Sequence, residues 1–252
     1  MKAIILSAGQ GRRLLPLTSE KPKAALPVGD RTVLEWQLRE IGRCAVDEVV
    51  VVTGFGADHI DRIVAAQHDV AARTLYNPFF ARCDNLGTCW VARHEMEGPF
   101  IVLNGDTLFE FAILERLLAN ASRAPITLVT DTKASYDDDD MKVVVSAGRL
   151  QRVGKRLDRT DISGESIGMM HFDAAGAARF RAQIEHMMRY GTGLEQWYLA
   201  AIDALASEDL VTTCPIDGLS WSEIDTQDDL VRAASVVSGW YRDNQARAST
   251  GA

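Results

Sequence analysis

A glycine-rich turn close to the start of the chain is the first place where the residue types suggest chemistry. Gly9 and Gly11 stand in the sequence Ser-Ala-Gly-Gln-Gly, directly after the apolar run 3–6. A buried strand that leads into a Gly-x-Gly turn allows backbone N–H groups to approach a phosphate closely. We therefore predict that Gly9 and Gly11 offer backbone N–H groups to a phosphate-bearing ligand.

The turn differs from the two common phosphate-binding loops. In the dinucleotide fingerprint G-x-G-x-x-G the third glycine lets the helix pack on the strand, and Leu14 occupies that position here. The acidic residue that the fingerprint places about 20 positions further on is also missing. A Walker A loop requires G-x-x-x-x-G-K-[ST], which this segment lacks. Binding of NAD or FAD, and with it an oxidoreductase function, is therefore disfavoured.

Cationic residues follow the turn at once. Arg12 and Arg13 come directly after Gly11, and Lys21 and Lys23 flank a proline a few residues later. Preorganised cations stabilise a group that gathers negative charge in a transition state, and proline stiffens the loop that carries them. This arrangement favours a triphosphate that is cleaved over a pyrophosphate that is only held.

The elements around these residues predict an α/β fold. Apolar runs at 2–6, 49–52 and 100–103 lack polar alternation, as in parallel strands that are covered on both faces. Helical patterns at 34–41 and 58–66 separate these runs. The resulting β-α-β-α-β order indicates a doubly wound, mostly parallel sheet of the Rossmann-like type.

The second half of the chain predicts further strands, helices and a small antiparallel part. A hairpin is expected from 141–145 and 148–153, with Ser146 and Ala147 in its turn. The other expected elements are strands at 126–130, 166–172 and 211–216 and helices at 112–121, after Asp173, at 195–206 and from Thr226 onward.

Length, composition and charge narrow the classes of function. The chain has 252 residues, 47% of them hydrophobic and 25% charged, as in globular proteins. The formal net charge of −8 argues against a nucleic-acid partner. The four cysteines show neither a CxxC pair nor a zinc spacing, and no segment reads as a signal peptide or membrane span. We expect a cytoplasmic protein without membrane insertion, with the acidic run 137–140 as a solvated loop.

Residues 4–18, read together with Lys21-Pro22-Lys23, resemble the signature of the sugar-phosphate nucleotidyltransferases, L-[AS]-A-G-x-G-x-R-[LM]-x-P-L-T-x-x-x-P-K. Arg13 falls on the family's arginine and Lys23 on its lysine, so the resemblance implies that both are catalytic. It also implies a set of nucleotide contacts, namely Leu6, Ala8, Gly9 and Gly11. The family usually has a small residue where this chain has Arg12, which leaves the role of Arg12 open.

Two later segments agree with the same resemblance. Leu103-Asn104-Gly105-Asp106 ends a predicted buried strand with a carboxylate, and the segment 222–230 contains Asp225. In the family, aspartates at these positions hold Mg²⁺, so the resemblance implies that Asp106 and Asp225 are the metal ligands and that Asp106 also contacts the nucleotide. One or two carboxylates together with phosphate oxygens are the ligands that Mg²⁺ prefers.

The middle of the chain is most similar to the small cytidylyltransferases that act on phosphocholine, inositol 1-phosphate or phosphonates. The stretch 77–88 resembles a loop that lies near the nucleotide in that subgroup, which implies contacts from Asn85 and Thr88. The candidate acceptor-binding residues are Lys142, Glu165, Trp197 and Trp221. The two tryptophans are included because aromatic rings hold a quaternary ammonium group well.

The expected reaction is Mg²⁺-dependent transfer of CMP from CTP to a small phosphorylated or phosphonate alcohol, with release of pyrophosphate. The alternatives are a hexose 1-phosphate uridylyl- or thymidylyltransferase and a non-catalytic nucleotide-sensing module. We treat 1–252 as one domain, with a nucleotide-binding half of about 1–125, an acceptor-binding half of about 126–236 and a loose tail at 246–252. The acceptor and the oligomeric state, a homodimer included, stay open.

Overall fold

The first half of the chain forms a parallel sheet with helices between its strands. The computed structural model describes residues 1–158 and 161–250, with side chains described up to residue 240. The strands of this half are β1 (Lys2–Ser7), β2 (Pro27–Val28), β3 (Arg31–Thr32), β4 (Glu48–Thr53), β5 (Ala72–Tyr76), β6 (Phe100–Asn104) and β7 (Thr107–Phe109). Its helices are α1 (Val33–Gly42), α2 (Ala57–Ala66), α3 (Asn85–Val91) and α4 (Phe111–Asn120).

The second half adds strands of both directions. Its strands are β8 (Ile126–Asp131), β9 (Lys142–Ser146), β10 (Arg149–Gly154), β11 (Gly164–Phe172), β12 (Val211–Pro215) and β13 (Trp221–Glu223). Its helices are α5 (Ala174–Tyr190), α6 (Leu199–Ala206) and α7 (Gln227–Thr250). Nine strands of the two halves form one sheet in the order β5-β4-β1-β6-β11-β8-β12-β10-β9.

Both faces of this sheet are covered by helices. Ala3 and Ile5 of β1 belong to one apolar cluster with residues of α1, α2 and α4. Ile4 and Leu6 point to the other face and belong to a second cluster with residues of α3, α5 and α6. The alternation of side chains along a strand sends successive residues to opposite faces, which explains why the predicted strands are apolar throughout. The predicted α/β architecture is confirmed.

The parallel strands lie mainly in the first half, and the antiparallel part predicted for the second half includes β11. β5, β4, β1 and β6 are parallel to one another, and β12 is parallel to β8, whereas β11 is antiparallel to both β6 and β8. β9 and β10 form the predicted hairpin, with Ala147 (φ 49°) and Gly148 (φ 75°) in its turn instead of Ser146 and Ala147. Positive φ at both central residues is typical of a type I′ turn. The sheet as a whole is therefore mixed.

Several boundaries differ from the sequence predictions. The predicted helix at 195–206 begins only at Leu199, because Gly193–Glu195 form a separate short 3-10 helix. Six of the described strands and helices lack a counterpart among the predictions, namely β2, β3, β5, α3, β7 and β13. Helix α7 extends to Thr250 and so includes most of the segment predicted to be a loose tail, whereas residues 251 and 252 lie outside the described part of the chain.

A third apolar cluster explains why Leu14 stands where the dinucleotide-binding fingerprint has its third glycine. Leu14 is fully buried in a cluster with Trp36 of α1, Ile224, and Val237 and Trp240 of α7. The signature turn therefore packs against the closing helix through Leu14, in place of the close helix–strand packing that a glycine provides.

Among the described residues, no helix combines the length and the apolar character that crossing a membrane requires.

Candidate active site

A cleft opens at the carboxyl ends of β1 and β6, the edge of a parallel sheet where ligands bind in α/β proteins. Its volume is about 250 Å³. Every residue predicted to contact the nucleotide lines it, namely Leu6, Ala8, Gly9, Gly11, Asn85, Thr88 and Asp106. Lys23 and Trp197 line it as well. The fold thus brings residues from widely separated parts of the sequence to one place.

Glycine is required at one of the two turn positions. Gly11 adopts φ 77°, in the left-handed region, and a Cβ there would lie 3.0 Å from the Cβ of Lys23. A Cβ at Gly9 would have no protein atom within 4 Å. The close approach of a ligand, and not packing within the protein, would therefore explain a glycine at this position. The hydroxyl of Thr18 donates a hydrogen bond to the carbonyl of Gly11 at 2.8 Å, which ties the turn to the following loop.

The ends of β1 and β6 approach each other closely enough to need Gly105. A Cβ at this position would lie 2.7 Å from the carbonyl oxygen of Leu6 and would also collide with the Ser7 hydroxyl. The Gly105 N–H donates to the Leu6 carbonyl at 3.0 Å. This contact places Asp106, the next residue, directly beside the glycine turn.

Lys23 is held between the two predicted metal ligands. Its Nζ lies 2.7 Å from Oδ2 of Asp106 and 2.6 Å from Oδ1 of Asp225. Burial lowers the pKa of Lys23, but the charges of the two carboxylates and their hydrogen bonds outweigh it, so the net shift of the pKa is upward. Lys23, Asp106 and Asp225 form one compact charge cluster in which the ammonium is protonated. Lys23 and Asp225 are 202 positions apart in the sequence.

Glu223 joins this cluster and was missed from the sequence. One oxygen each of Asp106, Glu223 and Asp225 lie within 4.8 Å of one another, a grouping suited to a metal ion. Removal from water and the neighbouring carboxylates of Asp106 and Asp225 raise the pKa of Glu223, although Lys23 and Arg13 oppose this. The sequence feature that could have identified Glu223 is the spacing Glu-x-Asp with Asp225, because residues two apart share one face of an extended chain.

Arg13 contacts acids on two sides. Its guanidinium lies 2.8 Å from Oδ2 of Asp225 and 2.7 Å from Oδ2 of Asp139. The Arg13 side chain is half exposed. Asp139 belongs to the acidic run that the sequence predicts to be a solvated loop. Asp137, Asp138 and Asp139 are exposed, whereas Asp140 is largely covered and pairs with Lys133. Through Asp139 the run reaches the signature turn. Arg12 is exposed on the same turn.

Asn85 and Thr88 lie on α3 and line the wall of the cleft. The Oδ1 of Asn85 accepts a hydrogen bond from the Tyr198 N–H at 2.8 Å, which fixes the orientation of its amide. Thr88 is nearly buried, and its hydroxyl accepts from the Asn77 side chain at 3.1 Å. Both predicted residues are therefore held by side-chain or backbone partners while bordering the cleft.

Three of the four predicted acceptor residues do not lie among the described residues that line this cleft. The Lys142 ammonium is buried and donates to the backbone carbonyls of Asp140 (3.3 Å) and Lys155 (2.9 Å). The Trp221 indole donates to Asp131 at 2.6 Å. These side chains point into the antiparallel part of the fold, and only Trp197 borders the cleft.

Glu165, the remaining member of that set, is buried and belongs to a charge group with Lys133 and Asp140. Its Oε2 lies 2.9 Å from Nζ of Lys133, which also contacts Asp140 at 2.7 Å. Burial raises the pKa of Glu165 to about 7, opposed by Lys133 and assisted by Asp140. The pairing of β9 with β11 places Glu165 opposite Lys142 in the sheet.

Comparison with known proteins supports the nucleotidyltransferase resemblance. The chain is 25% identical over 233 residues to a bifunctional IPC transferase and DIPP synthase of Aquifex aeolicus, covering 92% of this chain and 50% of the relative. It is 26% identical over 237 residues to a CMP-5'-(3-aminopropyl)phosphonate synthase of Streptomyces rubellomurinus, covering 91% of this chain and 37% of the relative. The chain therefore spans half or less of the length of these two relatives.

A solved structure shares the fold. The inositol-1-phosphate CTP transferase of T. maritima superposes with a TM-score of 0.80 at 19% identity, covering 94% of each chain. Residues 3–198 match the family model described as the MobA-like NTP transferase domain. The predicted membership among nucleotidyltransferases is confirmed, and the chain belongs to the family of MobA-like NTP transferase domains.

Proposed function

We propose that the protein transfers CMP from CTP to a small alcohol that carries a phosphate or phosphonate group, with release of pyrophosphate. The observation that carries this proposal is the cluster of Lys23, Asp106 and Asp225 beside the glycine turn. It combines backbone N–H groups, a protonated amine and converging carboxylates at the carboxyl edge of a parallel sheet. Such a set suits a metal-bound triphosphate whose α-phosphorus is attacked.

The acidic residues of the cluster fit Mg²⁺. Asp106, Glu223 and Asp225 offer oxygens close to one another, and Mg²⁺ binds through one or two carboxylates plus phosphate oxygens. The Oδ1 of Asp106 is buried and accepts no hydrogen bond from the described residues, as expected of an atom that has another ligand to bind. When bound, Mg²⁺ would neutralise charge on the phosphate oxygens.

The chain's own residues would supply positioning and charge. The phosphate or phosphonate oxygen of the acceptor is an anion at neutral pH, so its attack on the α-phosphorus of CTP requires no general base. The new P–O bond forms as the bond from the α-phosphorus to the pyrophosphate oxygen breaks. Gly9 and Gly11 would hold the phosphates by their N–H groups, Lys23 would contact the α-phosphate and acceptor oxygens, and Arg13 the leaving pyrophosphate.

The choice of CTP is supported by the names of related proteins. The phosphonate relative has CMP in its name, and the structure with the same fold is named as a CTP transferase. Asn85 lines the cleft with its Oδ1 engaged by Tyr198, which leaves the amide NH₂ as a donor for a base oxygen. Oxygen acceptors occur on both cytosine and uracil, so the base requires a direct test.

Pyrophosphate release from a nucleotide panel provides that test. Purified protein is incubated with Mg²⁺, one of CTP, UTP, dTTP, ATP or GTP, and one of phosphocholine, inositol 1-phosphate, 2-aminoethylphosphonate or glucose 1-phosphate. We expect release with CTP and at least one acceptor, and no release when the acceptor is left out. Preference for UTP or dTTP with glucose 1-phosphate would replace this proposal by the hexose alternative. Nucleotide binding without release in any combination would indicate the non-catalytic module.

A further inference from the structure

Asn104 lines the cleft but is not part of the glycine-rich signature. It is the last residue of β6, lies opposite Leu6 in the parallel pairing with β1, and stands two positions before Asp106. Its backbone carbonyl accepts a hydrogen bond from the buried Gln37 side chain at 2.8 Å, which fixes the main chain at this point. The side-chain amide is partly exposed, and its partners indicate what it can bind.

The phenol of Tyr198 fixes one end of this amide. Its hydroxyl donates to Oδ1 of Asn104 at 3.2 Å, and the Tyr198 side chain is fully buried. Burial raises the pKa of Tyr198, so the hydroxyl keeps its proton and stays a donor at neutral pH. Because Oδ1 is engaged, the NH₂ group is the part of the amide that is left for a ligand. This NH₂ group donates no hydrogen bond to the described residues.

Strand β11 makes room for the same amide. Gly168 adopts φ 75°, in the left-handed region that favours glycine, and a Cβ there would lie 2.2 Å from Nδ2 of Asn104. The pairing of β11 with β8 changes register between Ser166 and Met170, the stretch that contains Gly168. Such irregularities in strands are common beside functional sites. The fold therefore accommodates the Asn104 amide by a local break in the neighbouring strand.

Tyr198 also connects Asn104 to the base side of the cleft. Its N–H donates to Oδ1 of Asn85 at 2.8 Å, so one residue holds Asn85 through its backbone and Asn104 through its hydroxyl. Asn85 is the proposed contact of the base, and Asp106, which Gly105 joins to Asn104, is the proposed ligand of the metal on the phosphates. In a nucleotide the ribose lies between the base and the phosphates. Asn104 therefore occupies the position that faces the sugar.

We propose that Asn104 is a further nucleotide-binding residue whose NH₂ group donates to a ribose hydroxyl oxygen, and that Tyr198 is the positioning residue that presents it. This inference rests on the proposed function, because it adds a nucleotide contact in the same cleft. A hydroxyl oxygen accepts hydrogen bonds, and the free end of the amide can only donate. A sugar without hydroxyls would leave this donor unpaired, so the contact discriminates between sugars and not between bases.

Titration of CTP and of 2′,3′-dideoxy-CTP into the full chain tests the contact. The measurement is calorimetric, with Mg²⁺ and without an acceptor. Asn104→Ala should weaken CTP binding about three- to tenfold, the scale of one uncharged hydrogen bond, and should leave binding of the dideoxy analogue unchanged. The preference for CTP over the analogue should fall by the same factor. Asn120→Ala is the matched control, because this asparagine lies at the end of α4 and bonds to the Arg116 carbonyl.

Tyr198→Phe tests the positioning role. It should lower the same preference about two- to fivefold, because the amide remains but loses the hydrogen bond that orients it. In an Asn104→Ala background it should have no further effect on the preference, since it acts through Asn104. Tyr190→Phe, which removes an exposed hydroxyl at the end of α5, is the control. A merely structural Tyr198 would lower the urea midpoint in this variant and leave the preference unchanged.

The outcomes separate this inference from the proposed function. The inference is overturned if Asn104→Ala keeps the native preference for CTP over the dideoxy analogue, also when its KM for the acceptor rises. In that case, pyrophosphate release by the native protein would still support the proposed function. The predicted loss of preference without pyrophosphate release from any acceptor would support the sugar contact and refute the transfer reaction. Failure of the native protein to bind CTP would overturn both.

Discussion

The two sides of the cleft hold their lysines in different ways. On the nucleotide side, Lys23 is paired with the carboxylates of Asp106 and Asp225 from two other segments, and Lys23 and Asp106 line the cleft. On the acceptor side, the Lys142 ammonium is buried against backbone carbonyls and binds two segments of protein together. Lys23 therefore faces acids beside the cleft, whereas the Lys142 ammonium satisfies carbonyls inside the protein, so an acceptor contact from Lys142 would require these hydrogen bonds to be exchanged. Two lysines in one protein thus differ in their partners, and the acceptor role of Lys142 stays a prediction.

The largest effect in this comparison is expected at Lys23. Lys23→Ala should lower kcat by roughly 10²-fold or more, because it removes one preorganised charge from the transition state. The rate of pyrophosphate release at saturating substrates measures this. Lys21→Ala is the matched control, since Lys21 lies on the other side of Pro22 and does not line the cleft. Equal rates for the two variants would remove Lys23 from the catalytic set.

The carboxylates that hold Lys23 should control the metal requirement. Asp106→Asn and Asp225→Asn should each raise the Mg²⁺ concentration for half-maximal rate by at least about tenfold. Changing a residue that only hydrogen-bonds to a metal ligand already lowers metal affinity by about tenfold, so changing a ligand itself should cost at least as much. A Mg²⁺ titration of pyrophosphate release measures the shift. Asp203→Asn, which changes a carboxylate paired with Arg152, serves as the control. A titration curve like that of the native protein would refute the metal role of either aspartate.

Glu165 on the acceptor side should make stability depend on pH. Its pKa is raised to about 7 in the folded protein from an ordinary value of 4.5, so the unfolded state loses the proton first. Stability should therefore fall as the pH rises from about 4.5 to about 7. Glu165→Gln should remove this fall and gain roughly 1–3 kcal/mol relative to the native protein across that window. Urea unfolding at several pH values measures it, and parallel stability curves for the two proteins would contradict the assignment.

The smallest effect is expected at Lys142, the lysine on the acceptor side. Lys142→Met should lower the free energy of unfolding by about 1–2 kcal/mol, because it leaves two carbonyl groups without their donor. Chemical denaturation measures this loss. The same variant should retain the native kcat for pyrophosphate release, in contrast to Lys23→Ala. A stable Lys142→Met protein with a specific loss of acceptor binding would instead restore Lys142 to the acceptor site.

The nucleotide side could be predicted from the sequence because its chemistry is written in short segments. Gly11, Arg13 and Lys23 lie within one stretch, and the backbone of a strand, a tight turn and a stiff loop largely determines where they point. Asp106 follows a buried strand, so its place at the sheet edge follows from the parallel order. Glu223 was not predicted, since its strand β13 is three residues long and pairs with the equally short β7.

The acceptor side could not be predicted in the same way because it depends on contacts between distant segments. The direction in which Lys142 points is set by the pairing of β9 with β10 and β11, which a local pattern does not specify. The approach of Asp139 to Arg13 requires the whole second half of the sheet to be in place. Trp197 borders the cleft because the helix starts later than its periodicity suggests, at Leu199. The pairing register of the strands and the path of the loops determine where these side chains lie, and the amino-acid composition does not.

The central claim is that an acceptor oxygen attacks the α-phosphorus of CTP. It is tested most directly by ³¹P NMR of the products formed from unlabelled CTP and an acceptor whose phosphoryl oxygens carry ¹⁸O. We expect ¹⁸O in the bridge between the CMP phosphorus and the acceptor phosphorus, and none in the released pyrophosphate. Labelled pyrophosphate, or CMP released without a bridged product, would contradict it.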